Sequence, residues 1–213
     1  MYIPTHFDEP NVGVLHQLIE GHPLGILFTV GKNGMDANHI PFLLDPEQGS
    51  LGALHSHVAR ANPVWQEVAD SDEVLVVFRA ADAYITPTWY PSKLETRRQV
   101  PTWNYMVAHA FGKVRVHDDE RYVRGMVARL TRLHEAPREV PWKMTHAPRD
   151  YIDALVKEIV GLEIEITKLI GKSKLGQDDS ASDMRGAGAG LRAQGDVFIG
   201  DAMIARAEGN TQT

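Results

Sequence analysis

Two histidines spaced two apart, His55 and His57, open the stretch LHSHVARANP at residues 54–63, and Arg60 and an Asn62-Pro63 pair follow them. On an extended strand, positions i and i+2 point to the same side, so both imidazoles share a face. Three chemistries fit. Two imidazoles can ligate a metal, with His39 on the neighbouring expected strand as a third ligand. An anion can bind where the strand ends and a helix begins, because a helix N-terminus offers unpaired N–H groups. There Asn62 can cap, Pro63 suits the first turn, and Ser56, His57 and Arg60 add donors. The third is structural: one histidine exposed, the other hydrogen-bonded near a barrel rim, and Arg60 a solvated surface charge.

A second constellation is aromatic. Tyr84, Trp89, Tyr90, Trp103 and Tyr105 bring five of the sixteen aromatic residues into 22 positions, within YITPTWYPSK and VPTWNY. Trp and Tyr beside Pro, Thr, Ser and Asn suit the wall of a flat ligand with polar edges, such as a flavin or a tetrapyrrole. A plain core with a dimer interface explains the same residues equally well.

Other chemistries find little support. The chain has no cysteine, which excludes disulfides, thiolate metal sites and a Cys nucleophile. It has no GxSxG elbow, no GxGxxG and no P-loop. Asp178 and Asp179 form an adjacent carboxylate pair, but in a Gly-, Ala-, Ser- and Asp-rich stretch where solvation is expected. A net charge of −6, without a helix-turn-helix or a basic stripe, argues against direct DNA binding. No signal peptide or membrane-length apolar run is visible, so a cytoplasmic globule is expected.

These residues need elements to position them. Val14, Leu15, Leu18 and Ile19 predict a helix over 11–21. Strands are expected over 24–30, after the Asn33-Gly34 turn signal, over 51–58, over 73–78 with strand character beyond, and over 100–117. Residues 59–70 read as a short helix. On the long strand, Trp103, Tyr105, Val107, His109 and Phe111 share one face, and Asn104, Met106, Ala108 and Ala110 the other. Tyr122, Met126, Leu130 and Leu133 or His134 stripe a helix over 119–135. Asp150 caps another, and 162–169 alternates as a half-buried strand. A domain over 1–175 and a tail over 176–213 with one short helix at 198–207 are expected. Antiparallel strands without βαβ alternation predict a mainly β, α+β fold: an antiparallel barrel or sandwich with peripheral helices.

The set MYIPTHF, LHSHVARANPVW, YITPTWY, VPTWNY, LTRLHE and GKSKLGQ, in this order over residues 1–180, resembles the PaiB-type FMN-binding negative transcriptional regulators. Where that family usually reads Lys-Leu-Ser-Gln-Asn, this chain reads Lys174-Leu175-Gly176-Gln177-Asp178. The resemblance implies an antiparallel split β-barrel of the pyridoxamine-phosphate-oxidase-like type. It also implies FMN as cofactor, a homodimer with cofactor sites at the subunit interface, and a role in negative transcriptional regulation. It assigns His55, Ser56, His57, Arg60 and Asn62 to the FMN phosphate, and Asn38 and His39 to the ribityl chain or ring edge. Trp103, Asn104 and Tyr105 are assigned to the isoalloxazine. Two alternatives remain open: a flavin-dependent oxidoreductase, and a haem- or metal-binding split barrel with His57 or His109 as axial ligand.

Overall fold

Leu15, Leu18 and Ile19, at helical spacing, are all buried on α1 (Val12–Gly21), which follows the two-residue strand β1 (Asp8–Glu9). The computed structural model describes residues 1–32, 34–69 and 72–209. Next come β2 (Leu24–Gly31), β3 (Gly34–Pro41), β4 (Leu43–Asp45) and β5 (Ala53–Ala59). The β2–β3 turn has Gly34 at φ 102°, as an Asn-Gly hairpin requires, while Asn33 lies outside the described residues. The helix expected over 59–70 shrinks to a single turn, α2 (Val64–Glu67), because Val68 is already extended. Asp70, at the end of that expected helix, lies outside the described residues.

Three long strands carry the rest of the sheet: β6 (Glu73–Ile85), β7 (Thr102–His117) and β8 (Ile159–Lys174). Between them stand the short helix α3 (Lys93–Thr96) and two peripheral helices, α4 (Glu120–Glu135) and α5 (Arg149–Lys157). Asp119 caps α4 by accepting the Tyr122 N–H at 2.7 Å. The buried stripe of α4 is Val123, Met126 and Leu130: Met126 and Leu130 are as expected, Val123 is buried in place of Tyr122, and Leu133 is exposed. On β7 the period of two holds: Asn104, Ala108, Ala110, Gly112 and Val114 are buried, and the alternate residues are half-buried or exposed.

Among the described residues, eight strands form one antiparallel sheet in the order β3-β2-β6-β7-β8-β5-β4, with β1 added to β8. β3 and β5 meet through side chains: Ser56 Oγ donates to the Pro41 carbonyl at 2.6 Å, and Asn62 Nδ2 to Asn38 Oδ1 at 2.7 Å. The sheet is therefore a split barrel, held at its seam by side-chain bonds.

The chain falls into two compact units. One comprises Val12–Phe78 and His109–Leu169; the other comprises Met1–Asn11, Arg79–Ala108 and the residues from Ile170 onward. In the second, the stretch expected as a tail with one short helix at 198–207 holds two packed helices. α6 (Ala181–Gln194) and α7 (Val197–Gly209) bury Leu191, Ile199 and Met203 with Ile85, Tyr90 and Leu175. Where the two helices cross, a Cβ on Gly188 would meet the Gly200 carbonyl at 2.8 Å, so glycine permits the close approach. No described helix is long and apolar enough to cross a membrane.

Candidate functional site

β5 does put His55 and His57 on one face, and Ser56 on the other, but the two histidines have different fates. His55 is buried. Its Nδ1 meets the Tyr122 hydroxyl at 2.8 Å and its Nε2 meets Gln48 Oε1 at 3.1 Å. Gln48 in turn donates to Glu163 at 3.0 Å, and the same buried carboxylate meets His117 Nε2 at 3.0 Å and Arg115 at 3.4 Å. The Tyr122 ring stacks on His117 with centroids 3.7 Å apart. Gly161 makes room for that stack, since a Cβ there would lie 2.6 Å from the Tyr122 ring. Burial pushes the His55 imidazole below its ordinary value and the Tyr122 phenol well above its own, the latter reinforced by the Glu163 charge. Burial lowers His57 as well, and its Nδ1 is a buried atom without a partner among the described residues.

Arg60 is already paired. Its two terminal nitrogens fork onto Asp118 at 3.0 and 2.5 Å, Nε donates to the Lys157 carbonyl at 2.6 Å, and a longer bond of 3.5 Å reaches the Ile159 carbonyl. Four of a guanidinium's five N–H groups are thus committed. The pair holds the Asp118 carboxyl below the usual carboxylate range. Asn62 caps the following turn by accepting the Val64 N–H at 3.0 Å, and its amide is spent on Asn38. The fork expected to meet a phosphate meets Asp118 instead. Asn38 and His39 face opposite ways. His39 is exposed and directly opposite Ile26, which also faces Val77, while Asn38 lies opposite the buried Leu27.

The three residues expected at a flavin ring lie in the other unit. Trp103 is 55% exposed and meets Tyr84, itself 48% exposed, edge to face with centroids 5.8 Å apart. Tyr105 is half-buried, with the Lys172 ammonium 5.2 Å from its ring centroid. Asn104 is fully buried, where it donates to Met203 Sδ at 3.4 Å, so its side chain belongs to the interior. Lys174 donates to Thr102 Oγ1 at 2.7 Å, the Trp103 carbonyl at 2.8 Å and Asn104 Oδ1 at 3.4 Å, and burial pushes its ammonium below the ordinary value. In the GKSKLGQ motif, Gln177 closes the turn by accepting the Leu175 N–H at 2.7 Å and donating to the Ser173 carbonyl at 2.6 Å. Sequence reasoning gives the lysines of that motif no role. The signal is nonetheless there: two lysines at i and i+2, Lys172 and Lys174, at the end of the strand.

The family model described as "Putative FMN-binding domain" matches residues 1–168. The chain is similar to uncharacterized protein AN0679 of Emericella nidulans, at 34% identity over 92% of each chain. It is 26% identical to the protease synthase and sporulation protein PAI 2 of Bacillus subtilis, covering 86% of this chain and 85% of that one. Among solved structures, the FAD and heme binding protein from Mycobacterium smegmatis superposes with a TM-score of 0.60 at 19% identity, over 83% of this chain and 78% of that one, a likeness of fold. The chain belongs to the PaiB-type FMN-binding family, and FMN is its cofactor.

Side chains that fit such a group are present around Trp103. A flavin offers a flat aromatic ring, and Trp103 and Tyr105 offer aromatic surface that the fold leaves partly uncovered. The β5 set fits less well, because His55, Ser56, Arg60 and Asn62 are largely bonded within the protein, which leaves His57 Nδ1 as its one buried atom without a partner among the described residues.

Proposed function

We propose that the protein is a dimeric FMN-binding module with a regulatory or sensory role. The observation that carries the flavin site is the partly uncovered aromatic wall of Tyr84, Trp103 and Tyr105, in a chain whose first 168 residues match an FMN-binding family. Trp103 and Tyr105 bind and orient the ring by stacking and limit water on one side of it. Tyr84 braces Trp103 from the edge. When bound, FMN supplies hydride and single-electron transfer, and the chain supplies placement.

The dimer reading rests on the outer face of β2. Leu24 is 64% exposed and Val30 74%, with Ile26 and Phe28 between them and Val77 and Leu75 opposite on β6. A contiguous apolar sheet face of this kind suits a second copy of the chain. The regulatory role is drawn from the similarity to the Bacillus subtilis protein named for protease synthesis and sporulation. The net charge of −6 favours regulation through a bound flavin over direct contact with DNA.

Titration of the purified full-length chain with FMN tests the flavin site, read by flavin absorbance and by quenching of tryptophan fluorescence. Saturable quenching that Trp103→Ala weakens is the expected result. FMN that leaves the fluorescence unchanged, or a Soret band in place of flavin bands, would overturn the reading.

A further inference from the structure

Two lysines near the end of β8 carry charge that the fold does not neutralise. Lys172 is only 8% exposed, and Lys174 is half-buried. Both ammonium groups are turned to the Phe7 ring, at 5.9 and 5.6 Å from its centroid, and Lys172 also faces Tyr105. Lys172 makes one long hydrogen bond, to the Tyr2 carbonyl at 3.4 Å. Asp8 stands opposite Lys172 in the β1–β8 ladder, but it is exposed. Asp178 and Asp179 act on Lys174 through space. Among the described residues, neither lysine forms a salt bridge, whereas Arg206 on α7 takes Glu9 at 3.1 Å.

Taking an ammonium out of water is costly unless an anion compensates it, and aromatic faces compensate only in part. Two like charges against one ring raise that cost. The donors left over point to the missing partner. An ammonium has three N–H groups, and Lys172 uses one. Thr102 accepts from Lys174 and keeps its own O–H to give. Lys174 has spent its donors but still contributes its charge.

We infer that Lys172, Lys174 and Thr102 form a binding site for the dianion of a phosphate monoester. The ligand carries two negative charges for two ammonium groups, and oxygens to accept from Lys172 and Thr102. Two sources share this chemistry: the phosphate of FMN itself, and a separate phosphorylated small molecule. Assigning it to FMN rests on the flavin reading above; the anion site does not.

The experiment compares FMN with riboflavin, which lacks the phosphate, on the full-length chain in phosphate-free buffer. Charge-assisted hydrogen bonds to a phosphate make FMN bind about tenfold or more tighter than riboflavin. Inorganic phosphate then displaces FMN without displacing riboflavin, and Lys172→Met/Lys174→Met removes the difference between the two flavins. Inorganic phosphate that binds beside saturating FMN, and is lost in the same double variant, assigns the site to a separate phosphorylated ligand. Phosphate binding without binding of either flavin sinks the flavin reading and leaves the anion site standing. Equal affinity for both flavins, together with no binding of inorganic phosphate, overturns the inference. Should the double variant not fold, Lys172→Met alone and Thr102→Val carry the same comparison, and a folded variant that keeps the full phosphate preference overturns the inference.

Discussion

The polar residues beneath α4 and those around Phe7 balance their charges differently. Beneath α4, the Glu163 carboxylate gathers His117, Gln48 and Arg115, and nearby Arg60 is forked onto Asp118. Every charge there has a counterpart inside the protein. Around Phe7, Lys172 and Lys174 are set against aromatic rings and carbonyls. A self-satisfied network rigidifies its region and offers little to a ligand, whereas an uncompensated one leaves part of its bonding to be supplied from outside. The contrast separates structural polarity from binding polarity within one sheet, and it can be broken or sharpened by substitution.

The largest effect is expected at the apolar face that neither polar group occupies. Phe28→Asp should convert a dimer into a monomer at micromolar concentration, measured by light scattering, because an unpaired charge in an apolar interface is strongly disfavoured. If the mass is unchanged, the dimer uses another surface. Next comes Glu163→Ala, which strands three donors beneath α4. It should destabilise the fold by about 3 kcal/mol in urea unfolding and leave FMN affinity unchanged. A loss of flavin binding with full stability would erase the distinction between the two regions.

Gly161→Ala should cost about 1–3 kcal/mol, since its methyl group invades the Tyr122 ring. The smallest effect concerns acid. Burial holds His55 and His57 below the ordinary imidazole value of 6.5. Below that value the unfolded chain takes up protons that the folded chain resists, so this stability is full above 6.5 and falls as the pH drops through the lowered values. Urea midpoints at about pH 7.5 and about pH 5.5 should show the decline, and His57→Phe should flatten part of it.

Much of the fold is legible from period and turn chemistry. The alternation on β7 and the helical stripe of α1 are local, and each forms where the sequence pattern puts it, whereas the cap expected at Asp150 is not made, because α5 starts after Pro148 and Asp150 lies in its first turn. α6 is not legible, because its buried face is Met184, Ala187, Gly188 and Leu191. Small residues that let two helices approach closely carry almost no apolar signal. The aromatic half of the candidate site is visible as composition. The pairing of Arg60 is not, since Asp118 stands 58 positions away and nothing local announces it. The opposite facing of Asn38 and His39 follows from the strand period alone, so assigning both to one ligand edge conflicts with the same alternation that holds on β7.

One comparison bears most directly on where the flavin sits: FMN titration of Trp103→Ala beside Arg60→Ala, both first shown to be folded. Trp103→Ala should lose about tenfold or more in affinity through lost stacking, while Arg60→Ala stays within about threefold of wild type. The reverse order, with Arg60→Ala crippled and Trp103→Ala unaffected, would move the cofactor to the end of β5 and contradict the account.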